Sequence, residues 1–158
     1  MKENIGLPEQ ISKEVSVILN RVQADLFVLY AKTKLYHWNV TGPFFGPLHS
    51  MFDDQAAELL EMIDATAERV RALNVLSIGR LIDYKANSSL TEDDSTVTED
   101  IKMLDNLLHD RETIIRQLRI RIDQVNSDVG TVNFLTDMIE KHEKTAWMLR
   151  SIRHHNKP

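Results

Sequence analysis

The chain contains no cysteine. That excludes a disulfide framework, a thiolate-bound zinc or iron–sulfur site and a thiol nucleophile. No apolar run approaches the roughly 20 residues needed to span a bilayer. The N-terminus, MKENIGLPEQ, lacks the apolar stretch of a signal peptide, so a cytoplasmic location is expected and a membrane is not an expected partner. Positive charge is also short. Lys and Arg number 19 against 24 Asp and Glu, a net charge of −5, so polyanion binding would need a local basic patch. Helix breakers are few, with four prolines (Pro8, Pro43, Pro47, Pro158) and five glycines (Gly6, Gly42, Gly46, Gly79, Gly130).

What is present is 158 residues, 42% apolar and 27% charged, enough for one domain spanning 1–158 with a sizeable core. Residues 1–7 and 154–158 read as flexible tails. Between the breakers the apolar positions follow helical spacing. Ile11, Val15, Ile18, Val22, Leu26 and Leu29 mark a first helix running to about Trp38, with Pro8 in its first turn. Leu48, Phe52, Ala56, Leu59, Ile63, Ala67 and Val70 mark a second, ending near Leu73. Residues 75–83 read as a short helix or turn, and 84–95 as a polar loop. Thr96 and Glu99 form a T-x-x-E capping box opening a third helix along Val97, Ile101, Leu104, Leu108, Ile115, Leu118 and Ile122. After a break at Asp128, Gly130 and Thr131, a fourth carries Val132, Leu135, Ile139, Ala146, Leu149 and Ile152. No segment alternates with period two. The expected fold is all-α, a four-helix bundle with a short extra helix between the second and third helices. That long connection permits a crossover of the ferritin-like kind, with a plain up-down bundle as the alternative.

Potential ligands gather around the first turn and second helix. His49 and Asp53 are four apart and share a face. Asp64 and Glu68 repeat the arrangement fifteen residues on, close to four full turns, so both pairs lie on one stripe. His37 precedes the Gly42-Pro43 turn and can approach His49. At about 1.5 Å per residue the two pairs sit roughly 22 Å apart along the axis, too far for one metal centre. They are two separate sites, or unrelated, or they meet across a two-fold axis between antiparallel second helices. Imidazole with carboxylate suits Fe(II), Mn(II) or Zn(II). The plain alternatives are a satisfied His37, a solvated Asp64/Glu68 face paired with Arg69 or Arg71, and Asp53-Asp54 favouring the helix dipole. None of the eleven glutamates has a histidine three residues later, which argues against the Glu-x-x-His di-iron centre inside one bundle.

The stretch YHWNVTGPFFGPLHSMFDD, followed by EMIDATAERV, resembles the Dps family of mini-ferritins, the DNA-protecting proteins of starved bacterial cells. The likeness runs along nearly the whole chain and includes the C-terminal HEKTAWMLR. It implies a ferritin-like bundle in a hollow homododecamer with di-iron ferroxidase centres at two-fold interfaces. By this resemblance His37, His49 and Asp53 come from one subunit, Asp64 and Glu68 from its neighbour, and Trp38 lies beside the iron. Fe(II) is oxidised by hydrogen peroxide in preference to oxygen, and ferric mineral is stored against oxidative stress. The resemblance also offers Asp128 and Asp137 as pore residues, with Asn133 where a third Asp often stands, and Asp54 and Glu58 as mineral-nucleating groups. Zinc is an alternative occupant of the centre. The rival function is a structural nucleoid protein that binds DNA with vestigial or zinc-filled sites. Against it, residues 1–14 are net acidic. The basic cluster Arg150, Arg153, His154, His155 and Lys157 favours it, but strong DNA binding is not expected.

Overall fold

The structure, a computed structural model, describes residues 5–93 and 96–154. Most of both expected tails lies outside the described residues, as do His155 and Lys157 of the basic cluster. Five helices form α1 (Glu9–Asn39), α2 (Phe45–Ala72), α3 (Leu81–Asn87), α4 (Asp100–Gln124) and α5 (Val129–His154), and no strand is present among the described residues. None of these helices is long and apolar enough to cross a membrane.

Side-chain pairs fix the topology. Asp25 meets Arg121, Lys32 meets Asp110 and Tyr36 meets Asn106, so α4 runs antiparallel to α1. The α1–α2 hairpin is also antiparallel, so α2 and α4 point the same way. The connection between them must therefore travel the length of the bundle. It does so along α1, touching Asn20 and Gln23 through Ile78, Asp25 through Ser88 and Ser89, and Tyr36 through Asp93. This is the ferritin-like crossover. Asp25 fastens it, fully buried and accepting from Ser88 Oγ (3.0 Å), Ser89 N (2.5 Å), Ser89 Oγ (2.9 Å) and Arg121 Nη1 (2.6 Å).

The ends of α2 have clear local causes. Pro47 sits in its first turn, where the missing N–H costs nothing. At the other end Asn74 adopts φ 59°. Its N–H reaches Arg71 O, and Val75 N–H reaches Val70 O, a Schellman closure that satisfies the last carbonyls.

Three boundaries differ from the sequence expectation. The third long helix begins at Asp100, not at the Thr96 capping box, and its N-cap Glu99 makes no side-chain cap. The backbone at Thr98 and Asp100 docks on the α1–α2 turn instead. Thr41 N donates to Thr98 O (2.9 Å) and Asp100 N to Thr41 O (3.2 Å). The short helix lies at Leu81–Asn87, overlapping the expected loop, with Arg80 pairing to Asp83 in its first turn. The fourth long helix incorporates Gly130, because Asp128 caps it through Gly130 N (3.1 Å) and Thr131 Oγ1 (2.5 Å).

The buried face of α4 is also rotated. Met103, Leu104, Leu107, Ile114 and Leu118 are buried with Asp110, Arg111 and Arg121, while Ile101, Leu108, Ile115 and Ile122 are only partly covered.

Candidate metal centre

The α1–α2 turn brings His37 and His49 together. Gly42 permits it, with φ +124° and no room for a side chain, since a Cβ there would stand 2.5 Å from Asp100 Oδ2. The same carboxylate accepts from Phe44 N (3.2 Å) and Ile101 N (2.8 Å), locking the turn to the start of α4.

The two imidazoles stack at 3.9 Å between centroids and 24° between planes. Each hydrogen-bonds the other residue's carbonyl, His37 Nδ1 to His49 O at 2.7 Å and His49 Nδ1 to His37 O at 2.8 Å. A carbonyl can only accept, so both Nδ1 atoms carry the proton. With Nδ1 so engaged, Nε2 is the ring atom that each histidine can offer to a metal, the arrangement that holds a metal-ligating histidine in place.

Asp53, one turn beyond His49, brings its Oδ1 to 3.9 Å from His37 Nε2. Its carboxylate is 58% exposed and bonded at 2.7 Å to Lys34 Nζ. The Lys34 bond, then the charge of Lys34 and the two histidines, hold Asp53 below the usual carboxylate range. Lys34 also stands 5.5 Å over the ring of Trp38, which is 67% exposed. Lys34 is absent from the sequence reading. Its place three residues before His37, one helical turn away, is the signal that marks it.

Asp64 and Glu68 do not join this group. Both are exposed further along α2, and Asp64 borders a shallow groove with Leu60, Ile63, Ala67 and Ile78. Among the described residues no three His, Asp or Glu side chains converge closely enough to hold a metal ion. His37, His49 and Asp53 bring together two imidazoles and one carboxylate, a donor set whose chemistry fits a borderline divalent cation.

The remaining candidates separate by environment. Asp54 is exposed and Glu58 half-buried, both lining a groove with Gln55 and Lys144. Asp137 is exposed beside Glu61 and Lys141, and Asn133 is exposed. Asp128 is buried and paired with Arg69 at 2.6 Å. Burial opposes its ionisation, but the bonds from Thr131 and Arg69 outweigh that and hold the carboxyl below the usual range. Its charge is committed to Arg69 and the α5 terminus.

The sequence reading also missed Tyr36. Its phenol is buried and donates to Asp93, while Asn106 donates to both. Burial, then Asp93, raises the phenol above its ordinary range.

Comparison with known proteins sets this arrangement in context. The family model for a ferritin-like domain matches residues 17–156. A low temperature-induced protein of Nostoc is 42% identical over 151 residues, covering 94% of this chain and 84% of the relative. DNA protection during starvation protein 2 of Bacillus anthracis is 32% identical, covering 89% and 97%. Among solved structures, DpsC of Streptomyces coelicolor superposes with a TM-score of 0.93 at 27% identity, over 100% of this chain and 92% of that one. A Vibrio cholerae Dps, described as a member of the ferritin-like diiron-carboxylate proteins, gives 0.89 at 27% identity over 96% of each chain.

Proposed function

The chain belongs to the Dps family of ferritin-like proteins, and on that premise we propose that it is an iron-storing ferroxidase whose centre is completed across a two-fold axis. Iron storage and DNA protection are the activities the family membership supports. The finer reading is peroxide-driven oxidation of Fe(II) in a hollow homododecamer. One observation carries it, the half-built centre at His37, His49 and Asp53 with its matching acidic half, Asp64 and Glu68, left exposed on the same helix.

The spacing supports a two-fold. Pairing His49 with Glu68 and Asp53 with Asp64 on antiparallel copies of α2 puts the axis midway between those pairs. The residues there on the same face are Ala57 and Leu60, both exposed, Leu60 by 52%. An apolar centre flanked by ligand halves is what an isologous contact requires, and each dimer then holds two equivalent sites.

Fe(II) is the substrate. His37 and His49 offer Nε2 to it, and Asp53, already ionised, offers its carboxylate as Lys34 swings away. Asp64 and Glu68 of the neighbour add the oxygen donors that favour Fe(III). The overall reaction takes two Fe(II), one hydrogen peroxide and two waters to two FeO(OH) and four protons. Peroxide is reduced by two electrons, one from each iron. Trp38, exposed at the rim, is assigned the interception of stray one-electron oxidants. Asp54 and Glu58 are assigned mineral nucleation, and Asp137 entry of Fe(II). Asp128 contributes little charge to that path, and Asn133 none. No finding supports zinc as the occupant, and the net charge of −5 disfavours a mainly DNA-binding role.

The test is anaerobic loading of Fe(II), then peroxide, with absorbance of the ferric product followed in wild type and His37→Ala. Both are sized by light scattering. Rapid peroxide-dependent oxidation in a dodecamer, lost in the variant, is expected. Oxidation no faster than in the protein-free control overturns the reading, and a salt-dependent gel shift then tests DNA binding.

A further inference from the structure

One layer of the bundle holds polar groups that the iron chemistry does not use. Its level is set by neighbouring pairs, Lys34 with Asp53 between α1 and α2, Lys32 with Asp110 between α1 and α4, and Arg111 with His142 between α4 and α5. These registers bring Gln55 of α2, Arg111 of α4 and His142 of α5 to within about one helical turn of a common level. Arg111 and His142 are 0% exposed and Gln55 is 6% exposed.

Arg111 Nη1 donates to His142 Nδ1 at 3.0 Å. A guanidinium only donates, so His142 Nδ1 accepts and its proton sits on Nε2. Burial, then the charge of Arg111, holds that imidazole far below its ordinary pKa and so neutral. Burial pushes the guanidinium down to about 10, which leaves it charged at neutral pH.

Five atoms in this layer meet no hydrogen-bond partner, Arg111 Nε and Nη2, His142 Nε2, and both amide atoms of Gln55. Four of them are donors. The layer is short of acceptors, and it contains a desolvated positive charge. Asp110 is taken by Lys32 at 2.6 Å. Glu58 acts on Arg111 through space, with no ion pair between them among the described residues.

We propose that this layer is a binding site for a small inorganic oxyanion, seated with two oxygens on the Nε–Nη2 edge of Arg111 and held further by His142 Nε2 and Gln55 Nε2. That edge of a guanidinium is a side-on fork whose two N–H bonds run parallel and match paired oxygens. A single water offers one oxygen and no charge, and would leave the buried cation uncompensated. The way in is the groove between α2 and α5, about 310 Å³, where Gln55 lies between Asp54 and Glu58 on one wall and Lys144 and Thr145 on the other. Arg111 and His142 do not line that groove, so entry by this route requires the Gln55 amide to rotate aside. Asp54 and Glu58 at the mouth disfavour highly charged anions.

Equilibrium dialysis of the iron-free assembled protein against inorganic phosphate tests this, with chloride at equal ionic strength as the competitor. Saturable uptake of one phosphate per chain that chloride does not displace is expected. Arg111→Met should weaken it by at least about tenfold, Gln55→Leu should weaken it with helical content unchanged, and Glu58→Gln should tighten it. Should Arg111→Met fail to assemble, Gln55→Leu decides. Absence of saturable uptake, uptake unchanged in both donor variants, displacement by chloride, or a crystal structure with the Glu58 carboxylate on the Arg111 fork would each overturn the proposal.

Discussion

The two ends of α2 carry the same kinds of residue and are built differently. At the N-terminal end every donor is positioned from within the chain. The histidine rings are stacked and pinned by each other's carbonyls, the turn is locked by Asp100, and Asp53 is held by Lys34. At the other end Asp64 and Glu68 stand exposed, with no ion pair among the described residues. On the proposed reading the first end is an organised half-site and the second waits for a surface to face. Preorganisation of imidazoles needs a folded turn, whereas a carboxylate on a straight helix is positioned by the backbone alone.

That contrast predicts different consequences for similar substitutions. His49→Ala should cut peroxide-driven Fe(II) oxidation by at least about 100-fold, and should also destabilise the chain by about 1–2 kcal/mol through the lost hydrogen bond and ring stack. Glu68→Gln should cut oxidation comparably while leaving stability within about 0.5 kcal/mol. Stopped-flow absorbance and urea unfolding separate the two effects. Equal stability losses would break the comparison.

Complementation sharpens it. His37→Ala chains keep a sound acidic half, and Asp64→Asn/Glu68→Gln chains keep a sound histidine half. Each should be inactive alone. Dissociated, mixed in equal amounts and reassembled, they should regain activity at about a quarter of the sites, because only one of the two sites in a mixed dimer is intact. No recovery in a properly sized assembly would refute sharing across the two-fold.

The same difference explains what could be read from sequence. The two hairpins and the His37, His49, Asp53 cluster follow from period and proximity, because one helical turn and one short loop fix them. The crossover was legible only as a length. What directs it are single polar contacts, Asp25 with Ser88 and Ser89 or Thr41 with Thr98, which have no period. The start of α4 was misplaced for that reason, since docking on the turn overrides the Thr96 capping box. Its buried face was misjudged because Asp110, Arg111 and Arg121 are buried, and an apolar stripe passes over charged residues. The proposed meeting of the two ends of α2 lies between chains, where one sequence supplies only the distance that forbids an internal site.

A smaller effect probes the turn. Gly42→Ala forces an L residue to φ +124° and drives its Cβ against Asp100. Destabilisation by more than about 1 kcal/mol is expected, read by urea unfolding, with a several-fold loss of oxidation rate as the imidazoles lose their register. Glu68, far along α2, gains nothing from that turn, so Fe(II) contacts made by the acidic half should be unaltered.

The smallest effect concerns Lys34. Its hydrogen bond is the largest cause of the lowered Asp53 pKa, so Lys34→Met should move the Asp53 carboxyl titration upward, toward the ordinary aspartate value, in a carbon-13 NMR titration of the iron-free protein. The sign for stability follows. A carboxylate whose folded pKa lies below its unfolded value stabilises the fold above the unfolded value and loses that contribution as pH falls through the folded one. Lys34→Met should therefore narrow the acid range over which the N-terminal end of α2 stays organised. Glu68→Gln, at the other end of α2, should leave the Asp53 titration of the dissociated chain unmoved. A shift of Asp53 in that variant would mean that the two ends are coupled within one chain, and the contrast between a self-organised half and a waiting half would fail.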